Sequence, residues 1–241
     1  MKIIIKIGSA VLVDSKTGKI HKKILGNVIS QAQKLLAKGD KVIIITSGAV
    51  ASCNNTEFPK NLRASIGQPK LMSIYSDFFK KNGYEVCQFL YTHHDLEGAR
   101  KKYTRDLILK AIYNNIVPII NANDGVNSEE LDALKKYADN DVLTARVAEL
   151  IKADRVFLLI KESGFINFKT GKTVREVRVS GNKILKLIKT KSLPGIGGMK
   201  SKIKISRYLL RKNIGVRLVS GLDKDSILKS LNGEKIGTVF V

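Results

Sequence analysis

The chain of 241 residues has no tryptophan, four prolines, three histidines and two cysteines, and each shortage narrows what it can be. Cys53 and Cys87 lie far from one another and from any histidine pair, which excludes a disulfide framework and a zinc knuckle of ordinary spacing. Both are read as reduced thiols. His93 and His94 are adjacent, so their side chains diverge in most backbone conformations, and they are read as loop or surface residues. No apolar run approaches the ~20 residues of a membrane-spanning helix, and the Ile3 to Ile7 run is too short for a signal peptide. A cytoplasmic protein with no membrane partner is expected.

Acidic residues are also scarce, 21 against 43 lysines and arginines, for a formal net charge of +22. Such a surplus binds phosphate backbones without any motif. Only 10 of the basic residues are arginine, however, and arginine is the side chain suited to planar, bidentate phosphate recognition. The lysines are scattered, with no basic block interleaved with aromatics. No dedicated nucleic-acid surface is expected.

With 44% hydrophobic residues the chain can build a substantial core, enough for one large α/β domain or two intimate lobes. Ile-rich runs at 2–7, 41–46, 85–91, 117–120, 155–160, 214–219 and 237–241 read as strands. Helical spacing occupies the intervals: 22–38, 64–79, 105–114, the stretch after Asp141, 199–212 and 223–231. Pro69 is expected in the first turn of its helix, where its missing N–H is harmless. Residues 165–190 are less regular and suggest short strands and a hairpin. Strands alternating with helices favour a mainly parallel sheet covered on both faces.

Polar clusters follow several strands. Lys6 sits one residue before the end of the first, followed by Gly8 and Ser9; it either snorkels to solvent or meets a ligand. Thr46, Ser47, Gly48 and Ala49 make a small-residue turn that leads into a helix-like segment, an arrangement that exposes backbone N–H groups to an anion. The run Asn121, Ala122, Asn123, Asp124, Gly125 follows another strand, and Asp139, Asn140 and Asp141 precede an apolar helix. Carboxylates and amides at such positions suit a small polar ligand and a metal, and they serve equally as turn and cap residues. Finally Gly195, Ile196, Gly197, Gly198, Met199, Lys200, Ser201 and Lys202 form a glycine-rich entry to a helix, which lets backbone approach phosphates. The spacing is not that of a Walker loop.

Taken together and in order, these elements resemble the amino acid kinase family over nearly the whole chain. Ala64 to Gln68 and Asn114 to Pro118 are similar to the branch that phosphorylates the side-chain carboxylate of L-glutamate with MgATP, the first step of proline synthesis. The resemblance implies a three-layer α/β/α sandwich of the carbamate kinase-like type, a single domain over 1–241 with a glutamate-binding lobe at about 1–150 and a nucleotide-binding lobe at about 151–241. It implies ATP and Mg²⁺ as cofactors. Lys6, Lys202 and Asp141 would be catalytic, with Asp141 orienting the two lysines. Ser47, Asp124 and Asn140 would bind glutamate. Lys6, Lys161 and the Ile196, Gly197, Gly198, Met199, Lys200, Ser201, Lys202 loop would hold the nucleotide.

The family pattern of Thr-Asp after the nucleotide-side strand is replaced here by Ile160 and Lys161, so Lys161 is expected to meet a phosphate, with Glu162 standing in for the acid. Ala122 and Ala138 likewise replace polar residues. Two alternatives follow: a binding protein that keeps the fold without turnover, or a kinase of another acceptor. The resemblance further implies a homo-oligomer, transfer of product to glutamate-5-semialdehyde dehydrogenase, and no C-terminal PUA domain, since the chain ends at the Gly237 to Val241 strand.

Overall fold

The computed structural model describes residues 1–14, 17–126, 140–179 and 198–241. Its frame is an eight-stranded sheet. In chain order the strands are β1 (Lys2–Ile7), β2 (Lys41–Thr46), β3 (Val86–Tyr91), β4 (Val117–Ala122), β5 (Arg155–Ile160), the two-residue strands β6 (Phe165–Ile166), β7 (Thr173–Val174) and β8 (Glu176–Val177), then β9 (Gly215–Ser220) and β10 (Thr238–Phe240). The helices are α1 (Ser9–Leu12), α2 (Lys22–Ala37), α3 (Lys60–Lys80), α4 (Arg100–Tyr113), α5 (Asn140–Leu150), α6 (Met199–Leu210) and α7 (Ser226–Leu231).

The order across the sheet is β3-β4-β2-β1-β5-β9-β10-β8, with β6 and β7 forming a separate antiparallel pair. All neighbours in the main sheet are parallel except β9 and β10. From β1 the chain first builds one side, with β2 beside β1, β3 at the edge and β4 filling the gap between them, and later builds the opposite side through β5 and β9. The C-terminal ends of β1 and β5 therefore flank the point where the winding changes direction, the position at which open parallel sheets leave a crevice.

Alternation along β1 assigns its side chains to two layers. Ile3, Ile5 and Ile7 pack with residues of α2, α3 and α7, whereas Ile4 packs with residues of α4, α5 and α6. Each of these isoleucines is fully buried, an individual gain of roughly 1.5–3 kcal/mol. The same period puts Lys6 on the face of Ile4, toward α5 and α6. This is the expected three-layer α/β/α architecture with a mainly parallel sheet.

Two sequence expectations need adjustment. The helix expected over 64–79 begins at Lys60, so Pro69 lies in its interior and withholds a donor from the carbonyl one turn earlier. Packing against the sheet sustains that helix through an unfavourable residue. The irregular region supplies the β6–β7 hairpin, and β8 rejoins the main sheet beside β10, a pairing that no local pattern announces. Its portion over 180–190 lies outside the described residues. Among those described, no helix is long and apolar enough to cross a membrane, and Cys53 and Cys87 are both free.

Candidate active site

A cleft of about 1010 Å³ opens over the C-terminal ends of β1, β2, β4 and β5. Lys6, Ser47, Lys60, Arg63 and Asp124 line it from the first half of the chain, and Asn140, Lys161, Glu162, Gly198, Met199, Lys200 and Lys202 from the second.

At its floor the carboxylate of Asp141 lies between two ammonium groups. Lys6 Nζ is 2.6 Å from Asp141 Oδ1, and Lys202 Nζ is 3.2 Å from Oδ2. Asp141 is completely buried, and Lys6 and Lys202 are 5% and 8% exposed. Three distant segments meet here: the end of β1, the first turn of α5 and the first turn of α6. One carboxylate between two lysines allows both cations to sit in a region of low polarity and leaves the group with an excess of one positive charge. Two lysines alone would repel one another.

On the side of β2 and β4 a chain of side-chain amides links the polar residues. Asn140 Nδ2 donates to Ser47 Oγ at 2.9 Å and to Asn121 Oδ1 at 3.1 Å. The backbone N–H of Ala122 donates to Asn121 Oδ1 at 2.9 Å and to Asn140 Oδ1 at 3.3 Å. Asn121 Nδ2 in turn donates to Gln68 Oε1 at 3.0 Å. The turn bearing Ser47 is fixed by α3, which comes so near that a Cβ on Gly67 would stand 1.8 Å from the carbonyl oxygen of Ala49. Gly48 within that turn has φ of +101°, a conformation that disfavours any side chain.

Asp124 sits beyond β4 in a turn packed on α3, where a Cβ at Gly125 would meet Ser65 Oγ at 2.6 Å. Burial pushes the Asp124 carboxyl above the ordinary aspartate range, and the nearby Lys60 ammonium partly offsets this. Its chemistry suits an ammonium ligand that would replace the lost water.

The opposite wall is lysine- and glycine-rich. Gly198 precedes α6, and its carbonyl accepts the N–H groups of Ser201 and Lys202 at 3.0 and 3.3 Å. Ser201 belongs to this turn but is not among the lining residues. Ile196 and Gly197, expected in the same loop, lie outside the described residues, as does Asp139. Lys161 lines the cleft at the end of β5, its carbonyl accepting from Ser220 Oγ at 3.3 Å, with Glu162 beside it. Phe165, Ile166 and Phe168 of the small hairpin add an apolar surface.

Sequence reading thus named Lys6, Ser47, Asp124, Asn140, Lys161, Gly198, Met199, Lys200 and Lys202, all of which face one cleft, and Asp141, which lies beneath it. It missed Lys60 and Arg63. Their signal was available: positions 60, 63 and 67 share one face of a helix, the face that Gly67 presses against the Ser47 turn. It also missed the hairpin aromatics, because a two-residue strand has no period to detect.

The parallel α/β sandwich, its crevice and the buried lysine–aspartate–lysine arrangement agree with the result of sequence comparison: this chain belongs to the amino acid kinase family, whose model matches residues 1–220. Among curated relatives, it is 34% identical to a glutamate 5-kinase of Caldanaerobacter subterraneus subsp. tengcongensis, over 100% of this chain and 68% of that protein. A glutamate 5-kinase of Oenococcus oeni is 30% identical, over 99% of this chain and 94% of the relative. Solved structures agree on the fold. Carbamate kinase from Giardia lamblia bound to AMP-PNP superposes with a TM-score of 0.69 at 20% identity, covering 100% of this chain and 98% of the other. The isopentenyl phosphate kinase product complex of T. acidophilum gives 0.64 at 19% identity, covering both chains fully, 100% each.

Proposed function

We propose that this chain transfers the terminal phosphoryl group of ATP to the side-chain carboxylate of L-glutamate, giving L-glutamyl 5-phosphate and ADP as the first step of proline biosynthesis. The observation that carries the reading is the Lys6–Asp141–Lys202 group at the floor of a cleft whose walls differ in chemistry. One wall offers an acid, a hydroxyl and amides; the other offers lysines and a glycine before a helix. The similarity to proteins named glutamate 5-kinase supports the choice of acceptor.

The chemistry asks little of a base. A glutamate side chain, with an ordinary pKa of ~4.3, is already ionised at neutral pH. One of its oxygens attacks the terminal phosphorus, the bond from that phosphorus to the bridging oxygen breaks, and ADP departs with the electron pair. Two anions must be brought together, and negative charge spreads over the equatorial phosphoryl oxygens in the transition state. Lys6 and Lys202 supply positive charge at that centre, and Asp141 holds them in place. Asp124 receives the substrate ammonium, and the Ser47 turn receives the carboxylate remote from the reaction, with Asn140 bordering the substrate and holding Ser47 in place. The portion at about 1–150 is the acceptor side and that at about 151–241 the nucleotide side, with Lys161, Lys200 and the residues around Gly198 along the phosphates.

Magnesium ordinarily arrives on nucleotide phosphates with several of its waters rather than in an all-protein cage. When bound, the ion neutralises phosphate charge. In this reading the protein works in the cytoplasm as a homo-oligomer and hands its labile acyl phosphate to glutamate-5-semialdehyde dehydrogenase.

ADP release that requires both glutamate and Mg²⁺ is the expected result of a coupled assay. Lys202→Ala is expected to lower turnover by roughly a hundredfold or more, in line with loss of a charge acting on the transition state, with an unchanged circular dichroism spectrum. No glutamate-dependent ADP from folded wild-type protein would exclude the reading. Lys161 at a cleft position motivates one competitor, a protein that binds glutamate without turnover; calorimetry showing glutamate binding but none of ATP would favour it. ADP release with a different carboxylate or a phosphorylated acceptor would instead reassign the substrate.

A further inference from the structure

We infer that Gln68, which does not line the cleft, is the positioning residue that sets the hydrogen-bonding polarity of the acceptor site through Asn121 and Asn140. The direction of every bond in this relay follows from one group. The backbone N–H of Ala122 can only donate, so the atoms it meets on Asn121 and Asn140, at 2.9 and 3.3 Å, are their carbonyl oxygens. The Asn140 amide nitrogen therefore faces Ser47 Oγ and Asn121 Oδ1, and the Asn121 nitrogen faces Gln68. Gln68 must meet it with an oxygen.

The other end of the relay reaches the cleft. Ser47 Oγ accepts a hydrogen from Asn140, which leaves the serine's own proton available to an acceptor in the cleft. With one lone pair taken by Asn140 and its proton turned into the cleft, Ser47 favours a carboxylate there. Without an acceptor at position 68, Asn121 Nδ2 would be stranded in a site where Asn121 is 1% exposed, and its amide would turn to find another partner. Asn121 Oδ1 would then leave Asn140, and Asn140 would lose the orientation that occupies one Ser47 lone pair and turns the serine's proton toward the cleft.

The geometry also gives Gln68 a reserve. It is 6% exposed, and its Nε2 is buried with no hydrogen-bond partner among the described residues. A half-turn of its amide would present that donor to Asn121's position. Asn140 lacks this freedom, since it is fixed by Ala122 and Ser47 together. An acid at position 121 would therefore be accommodated by Gln68, whereas an apolar side chain of similar size at either position would not.

The relay is independent of which acceptor is used, but its kinetic consequence rests on the proposed glutamate kinase activity, so two readouts are taken. In nuclear magnetic resonance spectra of the ligand-free full chain, the Asn140 side-chain amide protons should exchange slowly in wild type and in Gln68→Glu, which keeps an acceptor oxygen in either protonation state. In Gln68→Met, which keeps the volume but deletes the acceptor, their protection should be lost. In steady-state assays Gln68→Met should raise the KM for glutamate roughly tenfold, the factor for one stranded buried donor, with the KM for ATP within about twofold. Asn121→Asp, relying on the amide turn of Gln68, should retain protection at Asn140 and provides the test if Gln68→Met does not fold. Unchanged Asn140 protection in Gln68→Met, or its loss in Asn121→Asp, overturns the relay. Lost protection with an unchanged glutamate KM overturns its role in acceptor binding, and a wild type inactive toward glutamate counts against the proposed activity while the exchange result still stands.

Discussion

Asp124 and Lys60 show how a single residue can be tuned without an ion pair. Burial holds the Asp124 carboxyl above the ordinary aspartate range, and the Lys60 charge pulls in the other direction. The ionised form is the one that attracts an ammonium. An acid with a raised pKa in the fold contributes stability that is present below its unfolded pKa and lost as pH rises through the folded value; binding that needs the carboxylate turns on across the same window. Lys60→Met deletes the downward pull, so the acid limb of kcat/KM for glutamate should move to higher pH, while Asp124→Asn should lose most of its glutamate affinity at every pH. Profiles from about pH 5 to pH 8 in which Lys60→Met and wild type coincide would contradict this coupling. At this scale the candidate side chains were legible only together: a lysine ending an Ile-rich strand, or two acids and an amide before an apolar helix, each has an ordinary solvent-facing or capping role, and it is their order along the chain that sets them apart. Lys60 and Arg63 were passed over because they are two more lysine-and-arginine positions in a chain that carries 43, and the helical face they share with Gly67 was the signal that set them apart.

Among the elements, α3 does the most to shape the acceptor side. It carries Lys60 and Arg63 in its first turns, meets the Ser47 turn at Gly67 and anchors the amide relay at Gln68. Two opposing effects decide what Gly67→Ala does. Alanine improves helix propensity by about 0.5–1 kcal/mol, but its Cβ would stand 1.8 Å from the carbonyl oxygen of Ala49. Backbone cannot rotate away as a side chain can, and overpacking costs about 1–3 kcal/mol. The clash wins: the thermal midpoint should fall by about 4 °C, and the glutamate KM should rise as the Ser47 turn moves. An unchanged midpoint would show that the turn yields freely. Periodicity located α2, α3, α5 and α6 within a few residues because each has an apolar stripe facing the sheet. It misjudged the start of α3, whose first turn is exposed and has no such stripe, and it said little about β6, β7 and β8, whose pairing is fixed by partners elsewhere in the chain.

For the molecule as a whole, a charge of +22 acts against compactness, since spread lysines repel one another. The exposed ones feel salt; Lys6 and Lys202, paired with a fully buried Asp141, feel it little. Raising NaCl from about 20 mM to about 500 mM shortens the screening length to a few ångströms, so the thermal midpoint should rise. A midpoint that falls would mean that exposed ion pairs outweigh the repulsion. The sequence by itself determined the layered α/β architecture, because hydrophobic spacing of two and of 3.6 residues is a local property that chooses strand or helix and the face each buries. It also determined that Lys6 would lie on the face of Ile4. Only the tertiary structure decided that Asp141 would reach both Lys6 and Lys202, the latter 61 residues away, and that Gln68 would meet Asn121 across 53. Charge neutralisation and hydrogen-bond polarity depend on which groups come within about 3 Å of each other, and that proximity is created by strand order and helix packing rather than by any pattern within one segment.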